Sequence, residues 1–353
     1  MKTKSPPPAA APELPRREFL QFLGAGALGL ALAMRGARGQ TDAGAAPLPP
    51  REGAQRLQGV FPIAETPFTP DNKLDLDSLA EEVRFCNRGR VHGLMWPQLA
   101  SGWNTMSETE RLDGAEAMLG AGKGGYTALV IGVQGADMGA VTRYAQQAAK
   151  LGADALISLP PPKVTDEKAL LAYYQSVGRI TDLPLFAQCT GTMSVDLVVE
   201  MVKTIPTLRH VKDEAGVPLE RIAELRRRTD DQLQVFSGQG VRTMITEMER
   251  GFVGHCPYTG LGDVYAAAYD LWHAGRKPEA FDMFGRILAF GSLGTANQNR
   301  LLISRGVFKP DARFRTPPAV AGSAGGNGVR ALPLDDAGVH AALETYLKPV
   351  LRA

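Results

Sequence analysis

Leu208-Arg209-His210-Val211-Lys212 is a short run of strand character that gives way at once to Asp213-Glu214-Ala215-Gly216, a cluster of turn-forming residues. One amine therefore stands at the carboxyl end of a strand that should be buried. Burying an ammonium is costly unless it has a partner or a task. Two readings of Lys212 follow from position alone. It is either a nucleophile that forms an imine with a carbonyl substrate, or a rim lysine paired with a carboxylate.

Working outward from that run, short apolar stretches alternate with amphipathic segments of helical length. The predicted strands are 60–66, 93–98, 128–133, 155–159, 185–188, 208–212, 234–237 and 252–256. Most are continuously apolar, as expected of parallel strands covered on both faces. Helix starts stand between them. Ser107-Glu108-Thr109-Glu110 reads as a capping box, Asp137 caps a segment with Val141, Tyr144, Ala145 and Ala148 on one face, and Ser194 precedes Leu197, Val198 and Met201. Eight such units over roughly 215 residues predict a (β/α)8 TIM barrel. A doubly wound open sheet is the alternative, but it would normally carry a glycine-rich phosphate turn after its first strand, and 59–67 has none.

The remaining sequence divides around this barrel. Arg16-Arg17-Glu18-Phe19-Leu20, followed by a Gly/Ala-rich apolar run from 22 to 34, reads as a twin-arginine export signal, with residues 1–50 forming the signal and a disordered lead-in. Residues 51–276 form the barrel and 277–353 a helical extension with a flexible loop near 319–331. The expected location is periplasmic or secreted, with the twin-arginine translocase as export partner. The chain has 353 residues, 44% hydrophobic, with a net charge of +2, which gives no electrostatic reason to expect nucleic acid. Cys86, Cys189 and Cys256 fit no metal spacing, and free buried thiols are expected.

Five segments, in order and spacing, resemble the dihydrodipicolinate synthase / N-acetylneuraminate lyase family of imine-forming barrels. They are Gly59 to Phe68 ending in Thr66-Pro67-Phe68, Met106-Ser107-Glu108-Thr109-Glu110-Arg111, Leu151-Gly152-Ala153-Asp154-Ala155, Val211-Lys212-Asp213 and Phe236-Ser237-Gly238. The resemblance implies that Lys212 forms the imine, that no metal or organic cofactor is needed, and that the chain is a homo-oligomer. A free lysine titrates at about 10.4, and burial in a barrel mouth is expected to lower that value and expose the neutral amine.

The departures from the family pattern matter as much. Its Gly-Thr-Thr-Gly-Glu loop, which holds a 2-oxo acid carboxylate, is replaced by Gln98-Leu99-Ala100-Ser101-Gly102. Its proton-shuttling tyrosine after the fifth strand is replaced by Gln188 or a neighbour, and glutamine cannot shuttle a proton. His210 lies two residues before Lys212, so strand alternation puts both on one face. It is either a proton relay or a core histidine bonded to a neighbouring strand. The catalytic candidates are Lys212, His210 and Gln188. The substrate-binding candidates are Thr66, Gln98, Ala100, Ser101, Trp103, Ser237 and Cys256. The expected function is an exported lyase of aldolase or dehydratase type acting on a 2-oxo acid. The alternative is a barrel without turnover that serves as a periplasmic binding protein for a small oxo acid or carbonyl compound.

Overall fold

The computed structural model describes residues 51–191, 193–239, 242–293, 298–315 and 336–353. The export signal and the loop near 319–331 lie outside them. Eight parallel strands form one sheet: β1 (Gly59–Val60), β2 (Gly93–Trp96), β3 (Ala128–Gly132), β4 (Ala155–Ser158), β5 (Leu185–Cys189), β6 (Leu208–Asp213), β7 (Gln234–Ser237) and β8 (Gly254–His255). Hydrogen bonding runs β1-β8-β7-β6-β5-β4-β3-β2. The seam between β1 and β2 is closed by a parallel bridge from Ile63 to Met95, with Ala64 N–H donating to the Met95 carbonyl at 3.0 Å and Met95 N–H to that of Pro62 at 2.9 Å. The sheet is therefore a barrel, as the sequence pattern predicts.

Each strand is followed by a helix: α1 (Leu76–Arg88), α2 (Glu108–Gly122), α3 (Met138–Leu151), α4 (Glu167–Gly178), α5 (Val195–Thr204), α6 (Pro218–Arg228), α7 (Met244–Glu249) and α8 (Gly262–His273). The predicted caps are present. Ser107 and Glu110 form the reciprocal capping box of α2, Asp137 accepts from Ala140 N–H, and Ser194 accepts from Leu197 N–H. β1 is shorter than the predicted 60–66, because Pro62 has no N–H to give to a ladder; beyond it the chain pairs only at the Ile63 bridges. β2 ends before Pro97 for the same reason. Beyond α8 come α9 (Lys277–Ser292), α10 (Gln298–Ser304) and α11 (Asp336–Ala342).

Two apolar layers hold the barrel. Between sheet and helices lie residues such as Leu79, Val83, Tyr174, Val198, Val211 and Leu225. Inside the lumen lie Phe61, Ile63, Met95, Val130, Ile157, Phe186, Phe236 and Cys256. The rings of Phe61, Phe186 and Phe236 meet with centroids 5.1 to 6.4 Å apart and plug the lumen. Gly254 makes this possible, since a Cβ there would fall 2.1 Å from the Phe236 ring. In β6 the register slips by one residue: Leu185 pairs with Leu208 but Phe186 with His210. The bulge at Arg209 sends Leu208 and Val211 outward and turns His210 and Lys212 into the lumen.

Candidate active site

Strand alternation beyond the phenylalanine plug sets Glu65, Gln134, Gln188, Lys212 and Cys256 on the inner face at the carboxyl ends of the strands, where barrels of this kind carry their chemistry. Lys212 is 5% exposed. Its Nζ lies 2.8 Å from Glu214 Oε1, and Glu214 Oε2 accepts from Gln188 Nε2 at 3.0 Å. Glu214 thus joins β6 to β5 through Gln188. Gly238 leaves it room, since a Cβ there would sit 2.3 Å from Glu214 Oε1.

The charge state of Lys212 differs from the expectation. Burial does push the ammonium downward, but the Glu214 carboxylate, with Cys256 and Tyr258 beside it, more than offsets that effect, and the net shift is upward. The resting amine is therefore protonated, and its proton must pass to a neighbour before it can attack a carbonyl. Glu214→Gln should move the pH dependence of imine trapping toward lower pH, because losing the carboxylate lowers the lysine pKa. Trapping rates measured across pH check this, and a curve that stays in place would remove Glu214 from the role.

The other predicted residues divide into those at the mouth and those elsewhere. Cys256 faces the lumen beside Lys212, with burial pushing its thiol up to about 12. His210 stacks on Phe186 with centroids 4.2 Å apart and planes 16° apart, and Phe236 meets it edge-on. It lines a cavity of about 760 Å3 at the amino-terminal end of the barrel, together with Arg51, Arg56 and Gln234. Burial, with Arg209 adding, pushes its pKa down to about 3. It is a neutral core histidine stacked on a ring of the neighbouring strand, and its Nδ1 makes no hydrogen bond among the described residues, neither to that strand nor to Lys212.

This histidine carries a stability prediction. Its unfolded value is about 6.5, so between pH 6.5 and 3 the unfolded chain binds the extra proton. Stability should therefore fall as pH drops through that window, by up to about 1.4 kcal/mol per pH unit from this group alone. His210→Phe should flatten the slope in urea titrations at pH 7 and 5, and an unchanged slope would refute it.

Thr66 and Ser101 have committed their hydroxyl protons inside the protein. Thr66 Oγ1 donates to the Ser101 carbonyl at 2.7 Å and accepts from Trp96 Nε1 at 3.0 Å. Ser101 Oγ donates to the Ala64 carbonyl at 2.6 Å and accepts from Gln98 N–H at 3.0 Å. A hydroxyl has one proton to give, so both side chains shape the loop and neither is a free donor. Gln98 is fully buried and donates to the Pro97 carbonyl, as does Gln134. Ala100 is exposed, and half-buried Trp103 has the Arg111 guanidinium 5.8 Å from its ring. Ser237 points away from the lumen. It donates to Glu247 Oε1 of α7 at 2.9 Å, and Glu247 Oε2 lies 2.8 Å from His255 Nδ1. Its neighbour Phe236 faces inward, so alternation turns Ser237 out.

Two mouth residues were missed by sequence reasoning. Glu214 follows Lys212 by two and so shares its face, a signal hidden by the turn-like composition around it. Glu65, two residues after the lumen-facing Ile63, is 8% exposed, and its carboxyl has no hydrogen-bond partner among the described residues. Among the described residues no group of three His, Cys, Asp or Glu side chains could hold a metal ion.

A closed eight-stranded parallel barrel with a buried lysine at the carboxyl end of its sixth strand defines the class of protein. Residues 56–306 match the Dihydrodipicolinate synthetase family, and the chain belongs to it. It is 25% identical over 243 residues to an uncharacterized DapA-like lyase of Thermococcus onnurineus, covering 64% of this chain and 79% of that one. It is 23% identical over 194 residues to the 4-hydroxy-tetrahydrodipicolinate synthase of Methanosarcina mazei, covering 53% of this chain and 65% of the relative. Among solved structures, the dihydrodipicolinate synthase of Rhodopseudomonas palustris superposes with a TM-score of 0.67 at 21% identity, over 77% of this chain and 95% of that one. The N-acetylneuraminate lyase of Mycoplasma synoviae gives 0.68 at 17% identity, over 85% of this chain and all (100%) of the other.

Proposed function

We propose that the protein is a lyase of aldolase or dehydratase type that acts on a 2-oxo acid through a Schiff base on Lys212. The observation that carries this is the amine itself, 5% exposed, above the aromatic plug and beside a carboxylate that can take its proton. Transfer of that proton to Glu214 frees the amine to attack the C2 carbonyl. Loss of water then gives a protonated imine, an electron sink for making or breaking the bond beyond C3. The backbone N–H groups of Leu99, Ala100 and Ser101 donate to no other described residue, and they are the donors assigned to the substrate carboxylate in place of the absent threonines.

Reduction with borohydride in the presence of pyruvate tests the reading. A covalent adduct located on Lys212 by peptide mass spectrometry is expected, and no adduct with pyruvate or any related oxo acid would overturn it. The comparisons do not favour the binding-protein alternative, because the relatives named above as synthases and lyases are enzymes. We extend the same proposal to export through the twin-arginine translocase and to assembly as a homo-oligomer. The paired Arg16-Arg17 supports the first, and the three free, buried cysteines suit a chain without disulfides. Family membership supports the second. Periplasmic fractionation and sedimentation are the checks.

A further inference from the structure

The lysine of the proposed reaction needs a proton-transferring partner, and the tyrosine that serves this purpose in similar barrels has Gln188 or a neighbour in its place. The ionisable groups around the mouth are Glu65, Lys212, Glu214, Cys256 and Tyr258. Glu214 already holds Lys212 and Gln188. The Cys256 thiol, at about 12, keeps its proton throughout the working range. Tyr258 is 45% exposed, with its phenol raised by partial burial and by Glu65. Of the two carboxyls, Glu65 is the one more than nine-tenths buried and with no hydrogen-bond partner among the described residues.

Its placement is fixed from three sides. Ile63, two residues earlier on the same face, bridges to both Met95 and Tyr258. The Glu65 N–H donates to Glu82 Oε1 of α1 at 3.2 Å, which anchors the backbone and leaves the side chain free. Tyr258 stands two residues beyond the lumen-facing Cys256, so the Ile63 bridge to Tyr258 sets Glu65 at the same end of the barrel as Lys212.

We propose that the Glu65 carboxyl is the catalytic acid and base of the imine chemistry at Lys212, taking over the proton transfer of the absent tyrosine; this rests on the Schiff-base reading above. With pyruvate held as the imine, ionised Glu65 removes a proton from C3. The C3–H electron pair becomes the C2–C3 double bond, and the C2–N π pair returns to nitrogen, giving an enamine. The protonated carboxyl then returns its proton to C3 or gives it to a leaving oxygen. Burial raises Glu65 to about 8, which suits a group that must both give and take a proton near neutrality. The titratable groups beside it are Glu82 from α1, itself pushed well up by burial, and Tyr258 from the loop after β8.

Exchange of the pyruvate methyl protons in D2O, followed by NMR, reads this step without knowledge of the natural substrate. Borohydride trapping on the same samples reads imine formation separately. In the parent protein, exchange per trapped imine should rise with pH through about 8. Glu65→Gln should keep the Lys212 adduct while exchange per imine falls about 100-fold and its pH dependence disappears. Glu65→Asp should retain the pH dependence at a reduced rate. An adduct with undiminished exchange in Glu65→Gln overturns the assignment and leaves the Schiff base standing. Loss of exchange in Tyr258→Phe, with full exchange in Glu65→Gln, would transfer the role to the phenol. A parent protein that forms no adduct refutes the Schiff-base reading itself.

Discussion

Lys212→Met should abolish turnover, by at least about a thousandfold, and should leave no borohydride-trapped adduct, while the barrel stays folded. Methionine replaces the aliphatic stem of the lysine but offers no nucleophile. Stability should behave in the opposite sense to activity. The Lys212–Glu214 pair sits largely out of water, where desolvation of two charges roughly cancels their attraction. On its own, Lys212→Met would leave the Glu214 carboxylate facing a thioether, so it is best paired with Glu214→Gln, which keeps an acceptor for Gln188. The double variant should melt at or above the parent temperature, since exchanging a buried pair for uncharged groups is commonly neutral or stabilising by about 1–4 kcal/mol. Calorimetry beside trapping separates the two roles. A double variant melting many degrees lower would show that the pair is retained for structure and not for chemistry.

Asp263→Ala should destabilise the fold by about 3–5 kcal/mol. Asp263 is completely buried in α8, where Arg305 grips it with two bonds of 2.8 and 2.9 Å. Arg352 and Ala353 donate their backbone N–H groups to the same carboxylate, and Arg305 also reaches the Gly260 and Ala353 carbonyls. One aspartate therefore fastens α8, the segment after α10 and the carboxyl end together. Removing it strands a guanidinium that is 2% exposed, at a cost of about 3–5 kcal/mol. Chemical denaturation should register that loss, and Arg305→Met with Asp263→Leu should recover part of it. A loss below about 1 kcal/mol would place the pair among ordinary surface contacts.

The barrel was legible because its evidence repeats. Largely apolar runs mark β3, β4 and β5, and caps at Ser107, Asp137 and Ser194 mark helices that start where they should. Lys212 was legible for a local reason, a charge at the end of a buried strand. Its surroundings were harder to read. Ser237 ends β7 and so reads as a mouth residue, yet its apolar neighbour Phe236 takes the inner face. Thr66 and Ser101 read as substrate contacts by their hydroxyls, whereas which acceptor a hydroxyl serves depends on loops meeting in three dimensions. Glu65 was hidden inside a stretch whose proline and threonine carry the pattern. That Lys212 is raised and not lowered also follows from geometry, since a single carboxylate 2.8 Å away reverses what burial alone would do.

The three phenylalanine rings packed across the lumen have an implication for traffic. They separate the Lys212 end of the lumen from the far cavity, so in the proposed reaction substrate and product both pass at the carboxyl ends of the strands. His210 lines the far hollow and stacks on one of those rings, so it is the point at which a change in that lining would reach the plug.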